Sequence, residues 1–240
     1  MHRPVPLDFS WQNGAWTTPA IAPFSGQYRD LDPALSADGR RLYYSSYRPL
    51  SDSPGDTATR ADTWYVDRLG AGWGAPRRID GPVNSPAIDM YPSPTRGGAL
   101  YFDSFRSPSG QRLVYRAAPD GRDGWHAPGL LPRTINSDSG ASNLFIDPDE
   151  RYVIFATRMP DGFGGADLHI SWRDGAGWTA PLNLGRRVNT VDVEFCPSVS
   201  NDGRVLYFTR AIPSGGPPRE RNIHMIRLDL LVDHERRALR

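Results

Sequence analysis

The sequence predicts an all-β fold, a four-bladed β-propeller of four-stranded blades, closed by the N-terminal strand acting as the outer strand of the last blade. Three observations predict it. A Trp-x-x-Pro marker recurs four times, a turn leading into an apolar strand recurs four times, and the strand count is uneven at the two ends.

The first marker stands at Trp16/Pro19, Trp73/Pro76, Trp125/Pro128 and Trp178/Pro181, with Trp spacings of 57, 52 and 53 residues. The second joins Asp38-Gly39 to Leu42-Tyr43-Tyr44, Gly97-Gly98 to Leu100-Tyr101-Phe102, Asp149-Glu150 to Val153-Ile154-Phe155, and Asp202-Gly203 to Leu206-Tyr207-Phe208. Asp-Gly and Gly-Gly between β-formers predict two-residue hairpins with positive φ at both turn positions. A period near 53 residues suits a four-stranded blade better than a solenoid turn or a sandwich.

Each unit reads as four strands, in the third unit Ser142–Ile146, Arg151–Thr157, Asp167–Trp172 and Trp178–Leu184. The other third strands fall at Asp62–Asp67, Gln111–Ala117 and Asn222–Leu228. One domain then spans the chain, with blades at about 28–80, 87–133, 140–186 and 192–231, the last completed by residues 10–22. The last unit stops after its third strand, and an unclaimed strand around Trp16–Pro19 precedes the first. Pairing the two would leave the ring without an open edge.

Composition narrows the function classes. With 38% hydrophobic residues the 240-residue chain can bury a core, and its 24 Gly and 23 Pro speak for many turns. The 28 basic and 27 acidic residues leave a net charge of +1, so no field of one sign favours nucleic acid or an anionic lipid surface. Cys196 is the only cysteine, which excludes an internal disulfide and a cysteine zinc cluster. Met1 to Ser10 carries Pro4, Pro6 and Asp8 and no apolar run, so no membrane insertion is expected. The compartment is cytoplasmic as the sequence stands and periplasmic if a leader has been removed; a monomer is expected.

Candidate chemistry gathers on the first strand of each unit. Three units carry an acid three residues before a proline: Asp30 before Pro33, Asp89 before Pro92 and Glu194 before Pro197. The third unit has Ala141 and Leu144 instead. Strand alternation puts Asp30 and Asp32, Asp89 and Tyr91, Ala141 and Asn143, and Glu194 and Cys196 on one side, which is placed at the mouth of the central channel. Asp30, Asp89 and Glu194 would then form a carboxylate ring suited to Ca²⁺ or another divalent cation. No cofactor is required by this reading, and the ring would equally take a cationic or hydroxylated ligand. The bland alternative is ion pairing, because each second strand ends in an arginine: Arg48, Arg106, Arg158 and Arg210. An ideal hairpin register sets Asp30 opposite Tyr47, next to Arg48, and brings Glu194 near Arg210. The loops Pro49–Ala61 and Ala211–Glu220 should emerge on the same face as the acids. His2, His126, His169, His224 and His234 show no metal spacing, Cys196 reads as a buried thiol, the marker Trp residues as packing, and Asp62 and Asp167 as turn caps. No catalytic residue can be named.

Residues 161–210 carry Asp-Gly-Phe-Gly-Gly-Ala-Asp-Leu, Gly-Trp-Thr-Ala-Pro-Leu-Asn-Leu-Gly, Glu-Phe-Cys-Pro-Ser-Val-Ser-Asn-Asp-Gly and Leu-Tyr-Phe-Thr-Arg. In that order they resemble the WD40-like β-propeller repeats of the TolB type found in many bacterial envelope proteins, with weaker copies over residues 28–158. The resemblance implies a propeller and a binding or scaffold role, with a protein partner or a small polar ligand over the channel face. It does not imply one reaction. The rival expectation is a hydrolase, lyase or biosynthetic enzyme using the channel-mouth carboxylates directly or through a metal.

Overall fold

The protein is described by a computed structural model covering residues 6–8, 11–12, 14–50, 60–160, 162–213, 220–229 and 231. It is an all-β propeller of four blades. Blade 1 runs Asp30–Leu35, Arg41–Ser46 and Asp62–Leu69, with Gly72–Trp73 and Arg77–Arg78 both paired to the third strand. Blade 2 runs Asp89–Pro94, Leu100–Ser104, Leu113–Ala117 and Gly129–Leu130. Blade 3 runs Ser142–Ile146, Tyr152–Thr157 and Asp167–Asp174, with Gly177–Trp178 and Leu182–Asn183 on its outer edge. Blade 4 has Val193–Val199, Val205–Ala211 and Arg221–Arg227. No helix among the described residues is long and apolar enough to cross a membrane.

The turn residues act differently from the two-residue hairpins expected. The Ser36 N–H donates to the Arg41 carbonyl at 2.8 Å, so four residues form the turn and only Gly39 among them takes a positive φ, of 71°. The Asp38 side chain stays in the turn and accepts from Ser36 Oγ at 2.6 Å. Gly98, Glu150 and Gly203 hold the same left-handed place in the other blades.

Period-two alternation along the second strand explains how blades stack. In blade 2, Leu100 and Phe102 look back to blade 1 and pack with Tyr43, Ile79 and Val83, while Tyr101 looks forward into a core with Val153 and Phe155 of blade 3. Blade 3 repeats the arrangement: Ile154 looks forward, onto Leu206 and Phe208 of blade 4. An asparagine locks each of these seams. Asn84, Asn136 and Asn189 each accept from a backbone N–H and donate to the carbonyl of the same third-strand residue, Thr63, Val114 and Leu168 respectively.

The fourth seam differs, and the expected closure is corrected there. The strand at Trp16 does not pair with Arg221–Arg227. Ala15–Trp16 pairs with Trp11–Gln12, and Ala20–Ile21 pairs with Leu7–Asp8. Among the described residues blade 4 therefore keeps three strands. The N-terminal pairing copies the outer half of blade 3, where Arg173 faces Trp178 and Ile170 faces Leu182 as Trp11 faces Trp16 and Asp8 faces Ala20. The sequence agrees at the marker, since Trp11-Gln12-Asn13-Gly14-Ala15-Trp16-Thr17-Thr18-Pro19 runs in step with Arg173-Asp174-Gly175-Ala176-Gly177-Trp178-Thr179-Ala180-Pro181, Trp16 on Trp178 and Pro19 on Pro181. This segment is a half-blade that precedes blade 1. Phe24, just beyond it, covers the backward face of blade 1 by packing on Tyr44 and Trp73.

Candidate functional site

The first strand of every blade is broken by a β-bulge at the same place. In blade 1, Leu31 faces Ser45 and Ala34 faces Tyr43, so Asp32 and Pro33 share one partner position. The other bulges hold Tyr91-Pro92, Asn143-Leu144 and Cys196-Pro197. Proline cannot donate to a ladder, and a bulge is one of the few sites in a sheet that accepts it. The first residue of each bulge is left-handed, before Leu144 as before the three prolines: φ is 55° at Asp32, 54° at Tyr91, 53° at Asn143 and 52° at Cys196. Such backbone in non-glycine residues stores strain, and a bulge re-aims the side chain it carries.

All four side chains turn toward the axis. They line a cavity of about 860 Å³ together with Pro33, Pro92, Leu144 and Pro197. Hydrogen bonds between blades hold them. Ser45 Oγ donates to Asp32 at 3.0 Å and accepts the Tyr91 N–H at 3.0 Å. Asp103 accepts the Asn143 N–H at 2.8 Å and is gripped by Arg112 through Nε at 2.8 Å and Nη2 at 2.5 Å. The Arg112 guanidinium also lies 4.6 Å from the centre of the Tyr91 ring. Asn143 Nδ2 meets Cys196 Sγ at 3.6 Å.

The floor is a low-dielectric place for charge. Burial lifts the Asp32 carboxyl to about 7, the nearby Asp103 adding to the effect while Ser45, Arg112 and Arg29 oppose it. Burial, with the Asp32 charge behind it, pushes the Cys196 thiol up to about 12, so it stays protonated at neutral pH. Burial likewise raises the Tyr91 phenol.

Of the residues expected at the site, Asp32, Tyr91 and Asn143 line the cavity; Asp30, Asp89, Glu194 and the four arginines do not. The three acids are buried in ion pairs within their own blades: Asp30 with Arg48 at 3.1 Å, Asp89 with Arg106 at 2.7 Å and Glu194 with Arg210 at 2.8 Å. Arg106 and Arg210 continue to the carbonyls of Val83 and Val188, and Arg48 to that of Phe24, so each pair also staples the loop entering its blade. In blade 3, where Ala141 replaces the acid, Arg158 donates to the Gly165 carbonyl instead. The bulge accounts for the difference from simple alternation: it shifts pairing by one residue, setting Asp30 opposite Ser46 and not Tyr47, and separates the acid from the residue two places on. The three acids therefore do not converge as a carboxylate ring. Among the described residues no three His, Cys, Asp or Glu side chains gather as a metal set.

The opening also lies elsewhere. Ala37, Arg96, Asp149, Arg151 and Asp202 line the cavity, so it faces the turns between first and second strands, at the opposite end from the acids. Residues 51–59 and 214–219 of the two long loops lie outside the described residues. Asp62 and Asp167 are more than turn caps, because Asp62 accepts from Arg78 at 2.7 Å and Asp167 from Asn183 at 2.8 Å. His169 is buried against Phe155 as a packing residue.

Comparison with known proteins bears on this architecture. No family model matches the chain, and no curated protein matches it. Among solved structures, TolB from Acinetobacter baumannii superposes with a TM-score of 0.50 at 16% identity, over 91% of this chain and 44% of that one. An α-L-arabinofuranosidase from Lactobacillus brevis superposes with a TM-score of 0.54 at 12% identity, over 87% of this chain and 78% of that one. The likeness is one of fold. The chain spans less than half the length of TolB, and one neighbour is an enzyme by its name, so the fold leaves the function to the site.

Proposed function

We propose that the chain is a non-enzymatic binding propeller that takes a small polar ligand over the axial floor, entering from the face of the hairpin turns. The observation that carries this is the cavity of about 860 Å³ floored by Asp32, Tyr91, Asn143 and Cys196. Ligand pockets of this kind are mostly apolar with a few convergent polar groups, and the walls of Pro33, Pro92, Leu144 and Pro197 around that floor fit the description. A carboxyl, a phenol and a carboxamide suit hydroxyl groups or an amine.

A second reading, an enzyme with Asp32 as its proton carrier, draws on the carboxyl held at about 7. Glycoside chemistry would need a second free carboxyl about 5–10 Å away. Asp103, the carboxylate whose charge bears on Asp32, is fully buried and bound to Arg112, which favours binding.

Calorimetry with D-glucosamine and L-arabinose as probes tests the proposal, with nitrophenyl glycosides as turnover controls. Saturable heat with at least one sugar is expected, weakened about tenfold or more by Asp32→Asn, and no nitrophenol release. Absence of binding by both sugars, or binding indifferent to Asp32→Asn and Tyr91→Phe, would overturn it. Turnover with a pH optimum near 7 would establish the enzyme.

A further inference from the structure

The side chains that fill the seam between blades 3 and 4 change character as they near the face of the hairpin turns. Ile154 stands opposite Ile170, and both are buried against blade 4. The next pair toward the turn on the same side, Tyr152 opposite Trp172, is only partly covered. Side chains that face each other across two strands start about 5 Å apart at Cβ, so the two rings make one surface. The turn hydrogen bond identifies the same place in the other blades, because the carbonyls of Arg41, Ala99, Tyr152 and Val205 each accept an N–H from across the turn. Blade 1 has the ion pair of Arg41 with Asp67 there, blade 2 an alanine, and blade 4 Val205 opposite Arg227. Blade 3 alone puts two aromatic rings at this position.

The two rings line a second cavity of about 290 Å³. Arg151, Tyr152, Asp202 and Gly203 line it and the axial cavity alike, so the two spaces are joined. Phe145, on the axial wall, lies 6.3 Å from Tyr152 between ring centres. An aromatic path of Phe145, Tyr152 and Trp172 therefore leads outward from the axis along blade 3. Polar groups held in place stand beside it. The Arg151 guanidinium, 67% exposed, is tethered by Asp147 at 2.7 Å. Across from it Asp202 accepts from Ser200 Oγ at 2.5 Å and from the Arg204 N–H at 3.1 Å.

We propose that this groove is a second sugar subsite, and that the ligand of the axial floor is an oligosaccharide whose outer units lie over Tyr152 and Trp172. The proposal rests on the small-ligand reading of the floor and extends it outward. A sugar ring presents C–H groups on its two faces and hydroxyls around its equator. Aromatic rings that are apolar on the face and open to water at the edge cover the first, and a fixed guanidinium and carboxylate beside them bind the second. The second cavity is at the small end of ligand pockets, which suits a single ring-sized unit. A peptide added as a strand fits poorly. Tyr152–Thr157 and Asp167–Asp174 are each paired on both sides, so the groove offers side chains and not a ladder edge.

The test compares the full chain's affinity for D-glucosamine and L-arabinose with that for the β-1,4-linked glucosamine trimer and the α-1,5-linked arabinose trimer. At least one trimer should bind about tenfold or more tighter than its monomer, and Trp172→Leu should bring that ratio close to one. Tryptophan emission should change on saturation with that trimer, and the change should shrink in the variant, which a purely structural role for Trp172 would not produce. Trp172 also packs on the seam, so Arg151→Ala, at an exposed position, serves as a second variant and should reduce the ratio severalfold with the thermal midpoint kept. Trimers that bind no tighter than their monomers, or a ratio unmoved in both folded variants, would overturn the proposal. The two readings fail separately. Monomer binding that depends on Asp32 with no gain from length removes the groove alone, whereas a gain that depends on Trp172 but is indifferent to Asp32→Asn keeps the groove and removes the floor.

Discussion

Asp89 and Asp32 both sit on the first strand of a blade, the one three residues before the strand's proline and the other immediately before it, and they have opposite surroundings. Asp89 is fully buried, accepts from Arg106 at 2.7 Å and from the Ser85 N–H at 2.6 Å and Oγ at 2.8 Å, and is cut off from the cavity. Asp32 lies on the bulge, faces the axis with a single serine donor, and is held near neutrality by burial. The acid that recurs in three blades does the same structural task in each. The position that reads Asp, Tyr, Asn and Cys in turn is the one where four blades face each other, and there the side chains differ from blade to blade.

The comparison breaks most sharply if the recurring acid is removed. Asp89→Ala leaves the Arg106 guanidinium, only 17% exposed, without its carboxylate, and takes the cap from Ser85. Deleting one member of a buried pair costs about 3–5 kcal/mol. Urea denaturation should show that loss with little change in the denaturant slope. A loss below about 1 kcal/mol would mean that the pair is not a structural staple.

Asp32 should behave in the opposite sense, and pH sharpens the contrast. Its folded pKa of about 7 lies above the ordinary 3.8, so the folded state keeps a proton that the unfolded chain gives up. That stabilising contribution is complete below pH 3.8 and is lost as pH rises to about 7 and beyond. Asp32→Asn removes the dependence. The variant should match the parent near pH 4 and exceed it by about 1–2 kcal/mol at pH 8, a magnitude reduced by the water of the cavity. Stability profiles that stay parallel across this range would show that Asp32 is not buried enough to hold its proton.

How far the sequence could be read follows from the same residues. The blades were legible because each unit writes its apolar alternation openly, as in Leu100-Tyr101-Phe102 and Val153-Ile154-Phe155, and marks its outer edge with Trp-x-x-Pro. The site was only half legible. Hairpin arithmetic assumes one residue opposite one residue, and the bulge at Asp32-Pro33 moves every pairing beyond it by one. A proline in mid-strand was the available signal, since a regular central strand would exclude it. The half-blade was missed for a different reason. The Trp16 marker, taken alone, reads as an outer strand, whereas the longer run from Trp11 to Pro19 matches the hairpin from Arg173 to Pro181 and places both its strands together.

The smallest expected effect separates the two faces of a single strand. Phe208 and Tyr207 are neighbours, but Phe208 looks back into the core with Ile154 and Leu168 and is 3% exposed, while Tyr207 looks the other way. Phe208→Ala should cost about 3–5 kcal/mol through lost burial and a cavity that the flanking blades cannot close. Tyr207→Ala should cost less than about 1 kcal/mol, because its ring is more than a third in water and no core cluster of the described residues includes it. Both are read by chemical denaturation of the free chain.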